Sequence, residues 1–205
     1  MQTSVDEREL DGRAALALRT GDLEAVVVPG GGMAVAALRL GDRDLLGTRG
    51  VSLLHPAASG PPGLDPFWEI GHATADPTGA EVMATLDVAD PTLLAAFPYP
   101  HALALTHRVD AGGLETTLTL MPTGDVPVPI AFGFHPCLAP GGDRRLWEID
   151  LPSTGRVESA QPGSHLLGDA AYDDLLPALE PDPVFAVRAP GIALEVARSE
   201  EHTSE

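Results

Sequence analysis

The segment from Ile130 to Pro136 places one histidine at the end of an apolar, strand-like run. Histidine titrates close to neutral pH, so the imidazole of His135 suits general acid or base catalysis. Because proline has no N–H to donate to a β-ladder, Pro136 predicts that the strand ends near His135 and leaves the imidazole at the rim of a sheet. Taken alone the signal is weak, since a lone histidine at a strand end is more often a hydrogen-bonded structural residue.

A second candidate lies in the run from Ala171 to Leu176, where Asp173 and Asp174 precede two leucines. A carboxylate at Asp173 can hold ligand hydroxyls through charge-assisted hydrogen bonds. The same pattern is typical of a turn or of the N-cap of a helix, so the residues alone leave both interpretations open. Cys137 as a nucleophile is a weaker alternative, because nothing around it in the sequence favours a thiolate.

The remaining histidines and the glycine triplet do not predict a metal or cofactor site. His101 and His107 have no cysteine or carboxylate at zinc-ligand spacing, and His107 is most simply a core histidine with a hydrogen-bond partner. The triplet from Gly30 to Gly32 is followed by a strand-like segment and not by Gly-Lys-Ser/Thr, so it is interpreted as a turn and not as a phosphate loop. We therefore expect no metal and no cofactor.

Composition favours a globular β-protein. The 22 glycines and 20 prolines of this 205-residue chain punctuate short apolar runs, which is typical of many strands and turns. Thirty acidic residues against twelve basic ones give a formal net charge of −18, which disfavours nucleic acid as a partner and suits a neutral ligand.

The single cysteine excludes an internal disulfide and favours a reducing compartment. The acidic N-terminus lacks the features of a signal peptide, and no apolar run approaches the length of a membrane span. We expect a cytoplasmic protein without a membrane partner.

Alternation of apolar and polar residues predicts antiparallel strands. Leu103, Leu105 and His107 share one face of a strand that turns at 110–113 into a partner carrying Leu118 and Leu120 on one face. Further strands are predicted at 14–19, 23–28, 33–40, 147–151, 184–188 and 192–197, with a helical turn at 91–96. Together they predict a single all-β domain, an antiparallel β-sandwich spanning residues 1–197.

Five segments, in this order and spacing, resemble motifs of the aldose 1-epimerase (galactose mutarotase-like) family. They read FPYPH, LETTLTL, TGDVPVP, FGFHPCL and AYDDLL, at 97–101, 114–120, 123–129, 132–138 and 171–176. The resemblance covers roughly residues 10 to 197. It implies a β-sandwich of the galactose mutarotase-like (supersandwich) type that interconverts the α and β anomers of an aldose.

The resemblance also assigns roles to residues. It implies that His135 is the acid that protonates the sugar ring oxygen and that Asp173 holds sugar hydroxyls. One alternative is a relative acting on a hexose phosphate, which the absence of lysine and of a basic pocket disfavours. Another is a non-catalytic carbohydrate-binding or regulatory protein with the same fold. The identity of the sugar and the oligomeric state do not follow from the sequence.

The chain departs from the family pattern in three places. The family's basic glutamate belongs to a late strand beyond residue 197, and Glu195 does not match it, so the base is not assigned. The family's sugar-binding arginine and first histidine are not in register near 53–64. We therefore expect a sandwich without its final strands, followed at 198–205 by a polar tail unlike native protein sequence. Because no base is assigned, the epimerase activity of this chain is expected to be near background.

Overall fold

A computed structural model describes residues 2–54, 68–130, 132–152, 163–169 and 183–199. The chain divides into two compact units, residues 1–139 and residues 140–205. The prediction of one domain over 1–197 stays a prediction. No helix among these residues is long and apolar enough to cross a membrane.

The first unit is built almost entirely of strands because its sequence alternates apolar and polar residues between turn-forming residues. Its elements, in chain order, are β1 (Thr3–Leu10), β2 (Arg13–Thr20), β3 (Leu23–Val28), a 3₁₀ turn (Pro29–Gly31), β4 (Ala34–Leu40), β5 (Arg43–Asp44), β6 (Leu46–Leu54), β7 (Glu69–Asp76), β8 (Gly79–Val88), helix α1 (Pro91–Ala96), β9 (His101–Asp110), β10 (Leu114–Pro122) and β11 (Gly133–Leu138).

These strands form two antiparallel sheets. The first has the order β1-β2-β3-β4-β6-β11 with β5 paired to β4, and the second has the order β10-β9-β8-β7. The predicted hairpin is confirmed, since β9 and β10 pair in an unbroken register that sets Leu105 opposite Leu118. The prediction of an all-β antiparallel fold is likewise confirmed.

The second unit contributes a four-stranded antiparallel sheet of its own. Its described elements are a 3₁₀ turn (Arg144–Leu146), β12 (Glu148–Leu151), β13 (Gly163–Leu166), β14 (Val184–Ala189) and β15 (Ile192–Ala197), and the sheet order is β13-β12-β14-β15. Arg188 pairs with Asp150 across β14 and β12 at 3.2 Å. The predicted strands at 147–151, 184–188 and 192–197 are confirmed with small shifts at their ends.

The core of the first unit is filled by the inward faces of its two sheets. Leu18, Val27 and Val35 of the first sheet are fully buried together with Val82 and Leu103 of the second. Burying each such side chain stabilises the fold by about 1.5–3 kcal/mol.

His107 is buried in this core and links the two sheets. Its Nε2 lies 2.8 Å from the carbonyl oxygen of Met33, and its Nδ1 lies 2.9 Å from Oγ1 of Thr116. A carbonyl only accepts, so Nε2 carries the proton and Nδ1 accepts from the threonine hydroxyl. Burial lowers the pKa of His107 to about 4, which keeps the imidazole neutral. The prediction of a core histidine with a hydrogen-bond partner is confirmed.

The helical turn predicted at 91–96 is helix α1. Asp90 caps it by accepting a hydrogen bond from the backbone N–H of Thr92, and Pro91 occupies the first helical position. The turn buries Leu93 in the core and leads the chain from β8 into β9.

Candidate active site around His135

His135 lies on β11, opposite Ser52 of β6. The prediction that the strand ends near His135 is wrong, because β11 continues through Pro136 to Leu138. Among the described strands β11 pairs with β6 alone, so it is an edge strand. On an edge, a proline can turn its missing N–H away from the ladder, and the register shifts between Pro136 and Leu138.

The side chain of His135 points away from the core because its neighbour points into it. Phe134 lies opposite Leu53, and both pack in the core between the two sheets. Successive residues of a strand face opposite sides, so His135 takes the outer face, where it is exposed. The imidazole is therefore accessible to a ligand and to water.

Ser52 is the hydroxyl placed beside the imidazole. Residues directly opposite on antiparallel strands have Cβ atoms about 4.5–5.5 Å apart, so Ser52 and His135 are neighbours on the outer face. In the next strand Val35 lies opposite Val51, which places Ala34 beside Ser52. The row formed by these residues therefore contains an imidazole, a hydroxyl and a methyl group, and no carboxylate.

The other sequence-predicted site residue, Asp173, lies outside the described residues. Cys137, two residues beyond His135, is a free, half-buried thiol. Ser52 was not predicted as a site residue, because no sequence motif marks it. Only the pairing of β6 with β11 brings it beside His135.

A second group of polar side chains occupies the outer face of the second sheet. A shallow depression of about 240 Å³ is lined by Glu81, Thr106, Arg108, Glu115 and Thr117. Arg108 donates to Oγ1 of Thr78 at 2.7 Å and lies 3.6 Å from Glu81.

His72, on β7, lies 2.8 Å from the same carboxylate of Glu81. Within the described parts of the chain, no three histidine, cysteine or acidic side chains form a group that could hold a metal ion. Glu81 and Arg108 are thus engaged with neighbouring side chains of the sheet.

The chain matches no protein-family model and no curated protein. Solved structures do resemble it. A galactose mutarotase-like protein from Clostridium acetobutylicum superposes with a TM-score of 0.66 at 12% identity, over 93% of this chain and 75% of that one.

Two further structures give the same result. The galactose 1-epimerase from Lactobacillus acidophilus NCFM has a TM-score of 0.58 at 13% identity, over 95% of this chain and 77% of that one. A protein from Synechocystis sp. PCC 6803 has a TM-score of 0.57 at 18% identity, over 91% and 70%. The chain therefore has the galactose mutarotase-like fold, as its sequence motifs predict.

Proposed function

We propose that this chain acts on a neutral aldose as an aldose 1-epimerase, interconverting its α and β anomers. The observation that carries the proposal is the position of His135, exposed on an edge strand of a galactose mutarotase-like fold, within the FGFHPCL motif that resembles the family. The net charge of −18 favours a neutral sugar over a phosphorylated one, because a phosphate would be repelled.

The reaction needs one acid and one base. His135, as imidazolium, donates its proton to the ring oxygen while a base removes the proton of the anomeric hydroxyl. The bond between the ring oxygen and the anomeric carbon breaks, and that carbon becomes an aldehyde. Rotation about the bond to the next carbon turns the other face of the aldehyde to the hydroxyl. Ring closure then returns both protons and yields the other anomer.

His135→Asn tests the role of the imidazole. Removing a positioned proton donor is expected to lower the enzyme-dependent rate of anomer interconversion by about 10² to 10⁴. Polarimetry of freshly dissolved α-glucose and α-galactose measures that rate. His72→Asn is the matched control, because His72 lies on the other sheet of the unit and should leave the rate unchanged. Equal rates for wild type and His135→Asn at equal folded concentration would remove His135 from the mechanism.

Asp173 is proposed to hold sugar hydroxyls, and its neighbour provides the control. Asp173→Ala should weaken saturation or turnover, whereas Asp174→Ala should cost about 1 kcal/mol of capping at most. Equal kinetic damage from both substitutions, with equal loss of melting temperature, would support a turn and not a binding residue.

A non-catalytic carbohydrate-binding protein is the second candidate. It is favoured by the row of described residues beside His135 on β6 and β4, which contains the hydroxyl of Ser52 and no carboxylate. Such a protein would bind an aldose, detected by saturation-transfer NMR, and leave its mutarotation at the spontaneous rate.

A further inference from the structure

The second sheet of the first unit ends in β10, a nine-residue edge strand. It pairs with β9 over its whole length without a register shift. Among the described residues, no backbone hydrogen bond outside the β-ladders involves residues 114–122. Within the described residues, the outer edge of β10 therefore presents a row of N–H and C=O groups without backbone partners, which is a template for pairing with another strand.

The other edge strands of the unit carry features that discourage such pairing. β1 contains four consecutive charged residues, Asp6 to Glu9. β11 contains Pro136 and a register shift. At the opposite edge of the second sheet, β7 already contacts β1, because the hydroxyl of Thr3 on β1 donates a hydrogen bond to the carbonyl oxygen of Asp76 on β7.

β10 has none of these features inside its length. Its one charged residue is Glu115, and its one proline, Pro122, is the last residue of the strand. Charges, prolines and bulges are the usual means of protecting an edge. Among the described edge strands of the first unit, β10 is therefore the one without such protection.

We propose that β10 pairs with β10 of a second copy of this chain. The two strands run antiparallel across a two-fold axis and join two four-stranded sheets into one continuous sheet.

The sequence of β10 is self-complementary in this arrangement. With Leu118 on the axis, Thr117 faces Thr119 of the other copy, and Glu115 faces Met121, which is 44% exposed in the single chain. Threonine pairs across strands are favourable, and the stem of Glu115 covers the methionine. The half-buried Leu118 faces its own copy on the core side and loses its remaining contact with water.

Charge does not oppose the pairing locally. The two Glu115 carboxylates lie at opposite ends of the paired strands, about six residues apart, which is about 20 Å and beyond the Debye length at physiological salt. The net charge of −18 on each copy does repel at long range. The dimer should therefore tighten as salt rises from about 0.01 to about 0.15 M, the opposite of an interface held by ion pairs.

Sedimentation velocity over a concentration series tests the proposal. A single strand pair is expected to bury less than the roughly 1,200 Å² of a stable interface, so wild type should show a weak, concentration-dependent monomer–dimer equilibrium. The double variant Thr117→Lys/Thr119→Lys sets lysine opposite lysine twice. It should raise the dissociation constant at least about tenfold, as should Thr117→Glu/Thr119→Glu.

Mixing the two double variants provides the decisive result. Lysine then faces glutamate at both positions, so a heterodimer should form where each variant alone is monomeric. Thr74→Lys/Thr85→Lys is the control of equal charge, on exposed positions of β7 and β8, and should dimerise as wild type does. The proposal is overturned if wild type stays monomeric at every concentration, if the control behaves as the edge variants do, or if the mixture does not associate.

Discussion

Acidification should destabilise the first unit through His107. Its pKa is about 4 in the folded chain against 6.5 for a free histidine, because burial disfavours the charged imidazole. Between these two values the unfolded chain binds a proton that the folded chain does not. Stability therefore falls as the pH falls from 6.5 to 4, and it is fully present above 6.5.

The size of the effect follows from the two pKa values. Each pH unit in this window lowers the free energy of unfolding by about 1.4 kcal/mol, which gives about 3 kcal/mol over the whole window and about 2 kcal/mol between pH 6.5 and 5. The upper part of the window is the cleaner one, because most carboxylates titrate below it.

Urea unfolding as a function of pH measures this slope. Trp68, buried in the core of the first unit, reports its unfolding by fluorescence when Trp147 is replaced by phenylalanine. In that background, His107→Gln should remove about 2 kcal/mol of the pH dependence between pH 6.5 and 5. Thr116→Val is the control: it removes the hydroxyl that donates to Nδ1, lowers stability, and keeps the slope because the imidazole stays buried. Identical slopes for the parent protein and His107→Gln would refute the reasoning.

Two further predictions concern stability. Gly50 has a φ of +61°, and a Cβ there would clash with the carbonyl oxygen of Val35, so Gly50→Ala should cost at least about 3 kcal/mol. Gly12→Ala, at a φ of +77° with no atom within 4 Å of the added Cβ, should cost about 1 kcal/mol through backbone strain alone. Thermal unfolding of the two variants therefore separates the steric clash at Gly50 from the backbone strain. Glu24, whose side chain is 13% exposed, pairs with three arginines on β1, β2 and β4, so Glu24→Gln should cost about 1–3 kcal/mol in urea unfolding. Asp44→Asn, at a 65% exposed position, should cost less than about 0.5 kcal/mol, and equal losses would contradict a central role for Glu24.

Local patterns predicted the elements that depend on local chemistry. The alternation through Leu103, Leu105 and His107 predicted β9 and its hairpin, because one face of that strand is buried and the other is not. The sequence Asp90-Pro91 fits the start of α1, since an acidic N-cap and a proline in the first turn satisfy the helix end without tertiary help.

Features set by distant parts of the chain were not predictable in this way. β1 carries four successive charges and lacks a clear apolar face; its outer face is held by ion pairs such as Arg8–Glu24, which form only once β1, β2 and β3 are aligned. The passage of β11 through Pro136 depends on its edge position, which the order of the sheet decides. His135 is exposed on this edge strand, and its role in a site stays a prediction. Its neighbour Ser52 could not be predicted, because it depends on the pairing of β6 with β11.

The most direct test of the proposed function is exchange between the anomers themselves. Two-dimensional exchange NMR on an aldose at equilibrium follows magnetisation passing between the α and β anomeric protons, and a methyl glycoside, which cannot open its ring, serves as the control. The sequence pattern alone, with no base assigned, predicts near-background activity. The epimerase proposal requires that another residue supply the base, and it predicts that the 205-residue chain increases the α–β exchange rate of the free aldose above its spontaneous value and that His135→Asn abolishes the increase. Binding of the aldose without faster exchange would contradict the epimerase proposal and identify a carbohydrate-binding protein.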